Sequence, residues 1–191
     1  MVAAQATAPS TPAVPADVSR TINNAEMVDD HLWRGGAPHE ASYRALAAAG
    51  VTTVIDLRAE DDLVIDQGLL DELGLDLVSM PVRDGQAPSP AMVERFLDEV
   101  QGSEGRVFVH CGAGVGRTGA FVAAYVVQQH GSSGLGAMRA NLAVGPPSLE
   151  QLAFAAGMSQ GESVDRPNPA VVAVSRVLDA PRRIWKNLEE L

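Results

Sequence analysis

A glycine-punctuated stretch, HCGAGVGRTG at residues 110–119, constrains the fold of this chain more than any other feature. It follows a β-branched and aromatic run, residues 106–109, which is typical of a buried strand in a parallel sheet. It precedes an apolar, helix-compatible run, residues 120–130, that ends at Gly131. The stretch is therefore predicted to be a loop that joins the carboxyl end of a strand to the amino end of a helix.

A loop in this position has the properties of a phosphate site. The first turn of a helix presents backbone N–H groups without partners and carries the positive end of the helix dipole, so it attracts anions. Glycines let successive N–H groups turn toward such a ligand, and the planar fork of Arg117 can grip two phosphate oxygens. The residues predicted to bind phosphate are Gly112, Ala113, Gly114, Val115, Gly116 and Arg117.

Cys111 is the only cysteine of the chain, and it begins this loop. A helix amino end and a nearby cation favour the thiolate, which is the nucleophilic form of cysteine. A nucleophile that faces a bound phosphate indicates phosphoryl transfer through a cysteinyl-phosphate. The competing interpretation is a small buried cysteine in a tight glycine turn.

His110-Cys111 together with Arg117-Thr118-Gly119 resembles the signature of the protein tyrosine phosphatase superfamily. Residues 32–36 (LWRGG) and 54–58 (VIDLR) resemble the opening of its dual-specificity-like members, so the resemblance covers about residues 26–160. It implies a bacterial-type phosphatase with the protein tyrosine phosphatase-like α/β fold. The alternation of strand and helix patterns agrees, since it favours a central, mostly parallel sheet flanked by helices.

Asp84 is the candidate proton donor for this chemistry. A departing alkoxide or phenoxide leaves slowly unless a carboxylic acid protonates it. Asp84 follows a predicted strand and begins the sequence DGQAPSP, in which Ser89 and Pro90 open the next helix. The pattern resembles the general-acid loop of the Cdc14-like group. The other interpretation is an aspartate that forms a turn with Gly85.

Three further residues receive supporting roles from the resemblance. His110 is expected to hold the loop and tune the thiolate through hydrogen bonds, or simply to pack. Thr118 is expected to donate its hydroxyl to the cysteine sulfur when the phosphoenzyme breaks down, or to be an ordinary first-turn residue. Gln151 is similar to the glutamine that positions the hydrolytic water, but Ser148 and Gln151 also have the spacing of a capping box.

Composition limits the partners and cofactors. A net charge of -10 and a pI near 4.7 argue against nucleic acid and anionic membranes, both of which need basic patches. The four histidines lack the spacing of a zinc site, so neither a metal nor a cofactor is predicted. The expected partner is a phosphorylated protein, carrying phosphotyrosine or also phosphoserine and phosphothreonine, or a small phosphomonoester. We expect a cytoplasmic location, although a signal or anchor removed upstream of residue 1 would leave the same sequence.

The chain divides into three predicted segments. Residues 1–20 form a flexible Ala/Pro-rich tail, residues 21–161 the phosphatase domain, and residues 162–191 a linker and a helical tail with helices at 170–178 and 181–191. Three alternatives to a protein phosphatase stay open. Sulfur-transfer and arsenate-reducing enzymes also use a reactive cysteine, although the former do not call for a phosphate fork like that of Arg117 and the latter usually need further cysteines. The same loop serves inositol-phosphate or phosphoinositide phosphatases, and a pseudophosphatase would bind phosphate without turnover.

Overall fold

A computed structural model describes residues 13–59, 66–162 and 164–189, of which residues 181–189 are described by backbone alone. Its strands are β1 (Glu26–Met27), β2 (Leu32–Gly35), β3 (Val51–Arg58), β4 (Asp76–Val82) and β5 (Arg106–His110). Its helices are α1 (Ala16–Thr21), α2 (Glu40–Ala48), α3 (Gln67–Leu73), α4 (Pro90–Gly102), α5 (Gly116–His130), α6 (Gly134–Val144), α7 (Leu149–Ala156) and α8 (Pro169–Glu189).

The five strands of the described residues form one sheet in the order β1-β2-β5-β3-β4. β2, β5, β3 and β4 run parallel, and only β1 pairs with its neighbour in the antiparallel sense. The prediction of a mostly parallel sheet is therefore confirmed. Since β5 lies at the centre, the loop that follows it opens at the middle of the carboxyl edge, which is where open α/β sheets bind ligands.

Helices cover both faces of this sheet because its inner strands are apolar on both sides. Phe108 packs with α1, α2 and α3 on one face, whereas its neighbours Val107 and Val109 pack with α4 and α5 on the other. Successive residues of a strand point to opposite faces, so a continuous apolar run is what a doubly covered strand requires. A third cluster joins α5 to α6 and α7 on the outside.

Helix α5 begins at Gly116, four residues earlier than the apolar run predicts. Glycine has a low helix propensity, but the first turn is buried and its packing outweighs that preference. Arg117 and Thr118 therefore lie inside the helix, at the end that carries the partial positive charge.

The predicted tail of residues 1–20 is wrong where the structure describes it. Residues 16–21 form α1, and Val18 is fully buried among Ile22, Trp33 and Tyr43. The hydroxyl of Ser42 also donates a hydrogen bond of 3.0 Å to the carbonyl of Thr21. The domain thus begins before residue 21, because α1 closes one face of the core; residues 1–12 lie outside the described part of the chain.

The carboxyl-terminal segment is one helix rather than two. α8 continues through Pro181, where a break was predicted. Proline removes the hydrogen bond to the carbonyl four residues earlier, at Val177, but that residue is 73% exposed and water can take the place of the lost donor. The sequence also predicts a helix over residues 62–73; α3 covers its part from Gln67 onward with Asp66 as the N-cap, and residues 62–65 lie outside the described ranges.

Candidate active site

Residues 111–117, which we call the cysteine loop, connect β5 to the first turn of α5. Three consecutive carbonyls of this loop accept hydrogen bonds from distant parts of the chain. The carbonyl of Gly112 accepts from the backbone N–H of Ala37 at 2.9 Å. That of Ala113 accepts from Asn24 Nδ2 at 2.8 Å, and that of Gly114 from Arg34 Nη2 at 2.6 Å.

These three bonds fix the direction of the loop amides. All peptide bonds among the described residues are trans, so each N–H points away from the carbonyl that precedes it. With the carbonyls of residues 112–114 held outward, the N–H groups of residues 113–115 point to the opposite side. Together with the first turn of α5, they form the concave array of donors that binds an oxyanion.

Gly114 is required by this geometry. Its φ is +76°, and a Cβ atom there would lie 2.6 Å from both the carbonyl oxygen of Gly35 and the amide nitrogen of Gly36. Any other residue would need a left-handed backbone and would press against the chain at the end of β2.

Arg117 is almost completely buried, and its guanidinium contacts the end of β4 and the loop that follows it. Nη1 donates to the carbonyl of Val82, the last residue of β4, at 3.1 Å. Nη2 lies 3.4 Å from Oδ1 of Asp84. The two residues predicted to bind phosphate and to donate the proton are therefore brought together, although 33 positions separate them in the sequence.

Asp84 lies in the loop between β4 and α4, and its side chain is 60% exposed. The loop is braced from α7: Ser148 Oγ donates to the carbonyl of Gly85 at 2.7 Å, and Gln151 Nε2 donates to that of Gln86 at 3.1 Å. A carboxyl group that is open to solvent on a braced loop can exchange protons with water and still keep its position.

Gln151 forms the predicted capping box and also lies beside the cysteine loop. The capping box is complete, because Gln151 Oε1 accepts from the N–H of Ser148 and Ser148 Oγ accepts from that of Gln151. The same amide lies against the cysteine loop, since a Cβ atom on Gly116 would come within 2.6 Å of Oε1. The capping prediction is confirmed, and the water-positioning role stays a prediction.

His110 is buried beneath the loop, and this burial lowers its pKa to about 4 despite the opposing charge of Asp56. Its Nδ1 lies 3.4 Å from the carbonyl of Cys111 and 3.8 Å from Oδ1 of Asp56. Arg58 binds Asp56 through both carboxylate oxygens. Burial raises the pKa of Asp56, but the bonds from Arg58 outweigh it and leave that pKa below its usual value. A neutral His110 therefore supports the loop.

Thr118 is fully buried in the first turn of α5. Its hydroxyl has no hydrogen-bond partner in the part of the chain that the structure describes. The expected bond to the cysteine sulfur is thus absent here, and its formation in the phosphoenzyme stays a prediction.

Arg34 and Asn141 are site residues that the sequence analysis did not single out. Both are 4% exposed, and Arg34 Nη2 bridges the carbonyl of Gly114 and, at 3.2 Å, Oδ1 of Asn141 on α6. Burial lowers the pKa of the Arg34 guanidinium, which the charges of Glu26 and Cys111 partly offset. The sequence feature that could have identified Arg34 is its position as a charged residue within the otherwise apolar strand β2.

A cleft of about 270 Å³ opens beside the cysteine loop. Asp84 and Gln151 line it, together with Val115 and Gly116. Among the described residues, no cluster of His, Cys, Asp or Glu has the arrangement of a metal site. Within the same residues, none of the helices combines the length and apolarity that a membrane crossing needs.

Most of the chain matches a known protein family. A model described as PTP-NADK, a DSP-PTPase phosphatase fused to NAD+ kinase, matches residues 5–157. The chain belongs to this family. It is thereby a dual-specificity-like member of the protein tyrosine phosphatase superfamily, as the signature around Cys111 and Arg117 indicated.

Individual phosphatases are also similar to this chain, over a smaller part of it than the family model. Human dual specificity protein phosphatase CDC14C is 38% identical over 80 residues, which are 42% of this chain and 17% of the human protein. P. aeruginosa TpbA in complex with pTyr is 26% identical with a TM-score of 0.55, covering 70% of this chain and 78% of that one. PTPMT1 in complex with PI(5)P has a TM-score of 0.62 at 21% identity, covering 70% and 93%.

Proposed function

We propose that this protein is a cysteine-dependent phosphomonoester hydrolase that acts on phosphorylated proteins or small phosphomonoesters through a cysteinyl-phosphate. The observation that carries the proposal is the contact between Arg117 and Asp84 at the edge of a loop whose amides converge. This contact supports the proposal because it brings a cation that is suited to bind phosphate beside a solvent-accessible carboxyl group. The TpbA structure, with its bound pTyr, supports phosphotyrosine as a substrate class.

The first displacement transfers the phosphoryl group to the enzyme. The Cys111 thiolate attacks phosphorus, the bond to the leaving oxygen breaks, and Asp84 protonates that oxygen. Arg117 and the loop amides stabilise the charge on the equatorial oxygens in the transition state.

The second displacement releases inorganic phosphate. Water attacks the phosphocysteine, the bond from phosphorus to sulfur breaks, and Asp84, now ionised, accepts the proton. Gln151 is suited to orient this water because its amide lies against Gly116. Thr118 is suited to donate its buried hydroxyl to the departing sulfur.

A phosphoinositide or inositol-phosphate phosphatase is the second candidate. The likeness to PTPMT1, solved with PI(5)P, favours it at the level of the fold alone. Residues 112–116 supply no lysine, whereas family members that act on highly charged inositides often carry loop lysines. The protein substrate is therefore the function that this site supports best.

Hydrolysis of an aryl phosphate by the wild type and by Cys111→Ser, in EDTA and reductant, tests the proposal. We expect turnover by the wild type that vanadate blocks and that the near-isosteric variant lacks. Equal activity of the two proteins would contradict it. Two inactive proteins that vanadate still stabilises against heat would instead indicate a pseudophosphatase, a binding module without turnover.

A further inference from the structure

Helix α8 lies beyond the family match, which ends at residue 157, yet it contributes a carboxylate to the cleft beside the cysteine loop. Asp179 lines this cleft together with Asp84 and with Gly116 of the cysteine loop. Among the described residues that line it, these two aspartates are the charged ones. Arg166 and Arg176 line a separate groove of about 660 Å³.

A chain of hydrogen bonds holds Asp179 in place. The N–H of Glu150 donates to Ser175 Oγ at 3.1 Å, and that hydroxyl donates to Asp179 Oδ2 at 3.1 Å. Ser175 is 1% exposed, so its hydroxyl cannot turn to water instead. Arg176 Nε also lies 3.4 Å from Glu150 Oε2, which ties the same turn of α8 to α7.

Glu150 connects this anchor to the loop that carries Asp84. It is 4% exposed, and its Oε1 accepts from the N–H of Ala87 at 3.1 Å. The carboxylate of Asp179 is therefore fixed relative to the proton donor. A fixed charge acts on every substrate in the same position, unlike a mobile surface side chain.

We infer that Asp179 is a specificity-determining residue that selects against substrates with further negative charge beside the scissile phosphate. The inference rests on the proposed function. Arg117 and the loop amides neutralise the reacting phosphate, but a second anionic group in the cleft meets the carboxylate of Asp179, because Asp84 carries the proton that it donates in the first displacement. The preferred substrates are phosphomonoesters with neutral surroundings, and acidic phosphopeptides or multiply phosphorylated inositols are disfavoured.

Two phosphotyrosine peptides that differ only in Glu or Gln on both sides of the phosphotyrosine test this inference. The wild type should show a higher kcat/KM for the Gln peptide, and Asp179→Asn should reduce the ratio by about fivefold, as expected for an exposed charge interaction. Asp98→Asn is the matched control, because Asp98 lies on α4 in a groove at the opposite edge of the sheet. This variant should keep the wild-type ratio.

Binding of the same peptides to Cys111→Ser, with and without Asp179→Asn, gives the ratio independently of turnover. A binding ratio unaffected by Asp179→Asn overturns the inference and leaves the proposed function intact. Binding that depends on residue 179 without wild-type turnover overturns the proposed function alone. Failure of both peptides to bind overturns both. Added salt should bring the wild-type ratio of kcat/KM for the Gln and Glu peptides closer to one, because salt screens the interaction between exposed charges.

Discussion

Glycine-to-alanine substitutions at three positions separate the two reasons for which Gly114 of the cysteine loop must be glycine, namely its backbone conformation and its close contacts. Gly112 has neither constraint, since its added Cβ would meet its nearest neighbour, Arg117 Nη2, at 3.9 Å. Gly74, at the end of α3, has a φ of +64° but meets no atom of the described residues within 4 Å. Gly114 combines a φ of +76° with contacts of 2.6 Å to the backbone of Gly35 and Gly36.

The expected losses follow from these two causes. A left-handed backbone costs a non-glycine residue about 1 kcal/mol, which is the whole loss expected for Gly74→Ala. Overpacking against a rigid neighbour adds about 1–3 kcal/mol, so Gly114→Ala should lose about 2–4 kcal/mol. Gly112→Ala should stay within about 0.5 kcal/mol of the wild type, as substitutions without such constraints do.

Urea unfolding at equilibrium measures these differences, with a common slope as the control that the unfolded state is unchanged. Gly114→Ala should also lose stabilisation by vanadate, because its amide no longer faces the ligand. A Gly114→Ala loss equal to that of Gly74→Ala would refute the close approach of the cysteine loop to β2.

Three other substitutions test separate parts of the site. Asp84→Asn should slow hydrolysis of alkyl phosphates by about 10²–10⁴-fold and of activated aryl phosphates far less; equal slowing in steady-state assays would remove Asp84 from the acid role. Arg34→Met should lower the unfolding free energy by about 3 kcal/mol, because Gly114 and Asn141 lose a buried charged donor; a loss below about 1 kcal/mol in urea would contradict that role. The unfolded chain protonates His110 below about pH 6.5 and the folded chain only near pH 4, so stability should fall by about 3 kcal/mol as pH drops through that window. When the unfolding free energy is measured at a series of pH values, His110→Asn should lose less stability than the wild type between pH 6.5 and pH 4. An equal loss in the two proteins would exclude His110 as its source.

Elements governed by local sequence were predicted well. Ser89 caps α4 with Pro90 in its first turn, and Ser148 and Gln151 form their capping box. These motifs are predictable because the capping side chain binds a backbone group only three residues away in the sequence. Strand β5 was also predicted from its local sequence, since a short β-branched and aromatic run is typical of a strand covered on both faces.

Contacts across long sequence separations were not predictable from one sequence. Asn24 and Arg34 hold carbonyls about 80 to 90 residues away, and Asn24 does so with an unusual φ of 54°. No local pattern marks either residue as a partner of the cysteine loop. Helix α1 was not predicted for a different reason. Its six residues are too few to show a helical period, and Val18 is a core residue only because the helix packs on the domain.

The contribution of α8 to the cleft belongs with these non-local features. The sequence predicted two helices in this segment, but it does not indicate which of their residues lines the cleft beside the cysteine loop. Asp179 reaches the cleft because Ser175 and Arg176 dock the helix on Glu150. Only the three-dimensional arrangement brings these residues together.

The covalent intermediate is the most direct test of the central claim. The wild type is mixed with an aryl phosphate, quenched in acid within one turnover and analysed by intact mass and peptide mapping. We expect one added phosphoryl group, located on Cys111 and lost in Cys111→Ser. A wild type that releases phosphate through the same turnover with no adduct, or with an adduct on another residue, would contradict it.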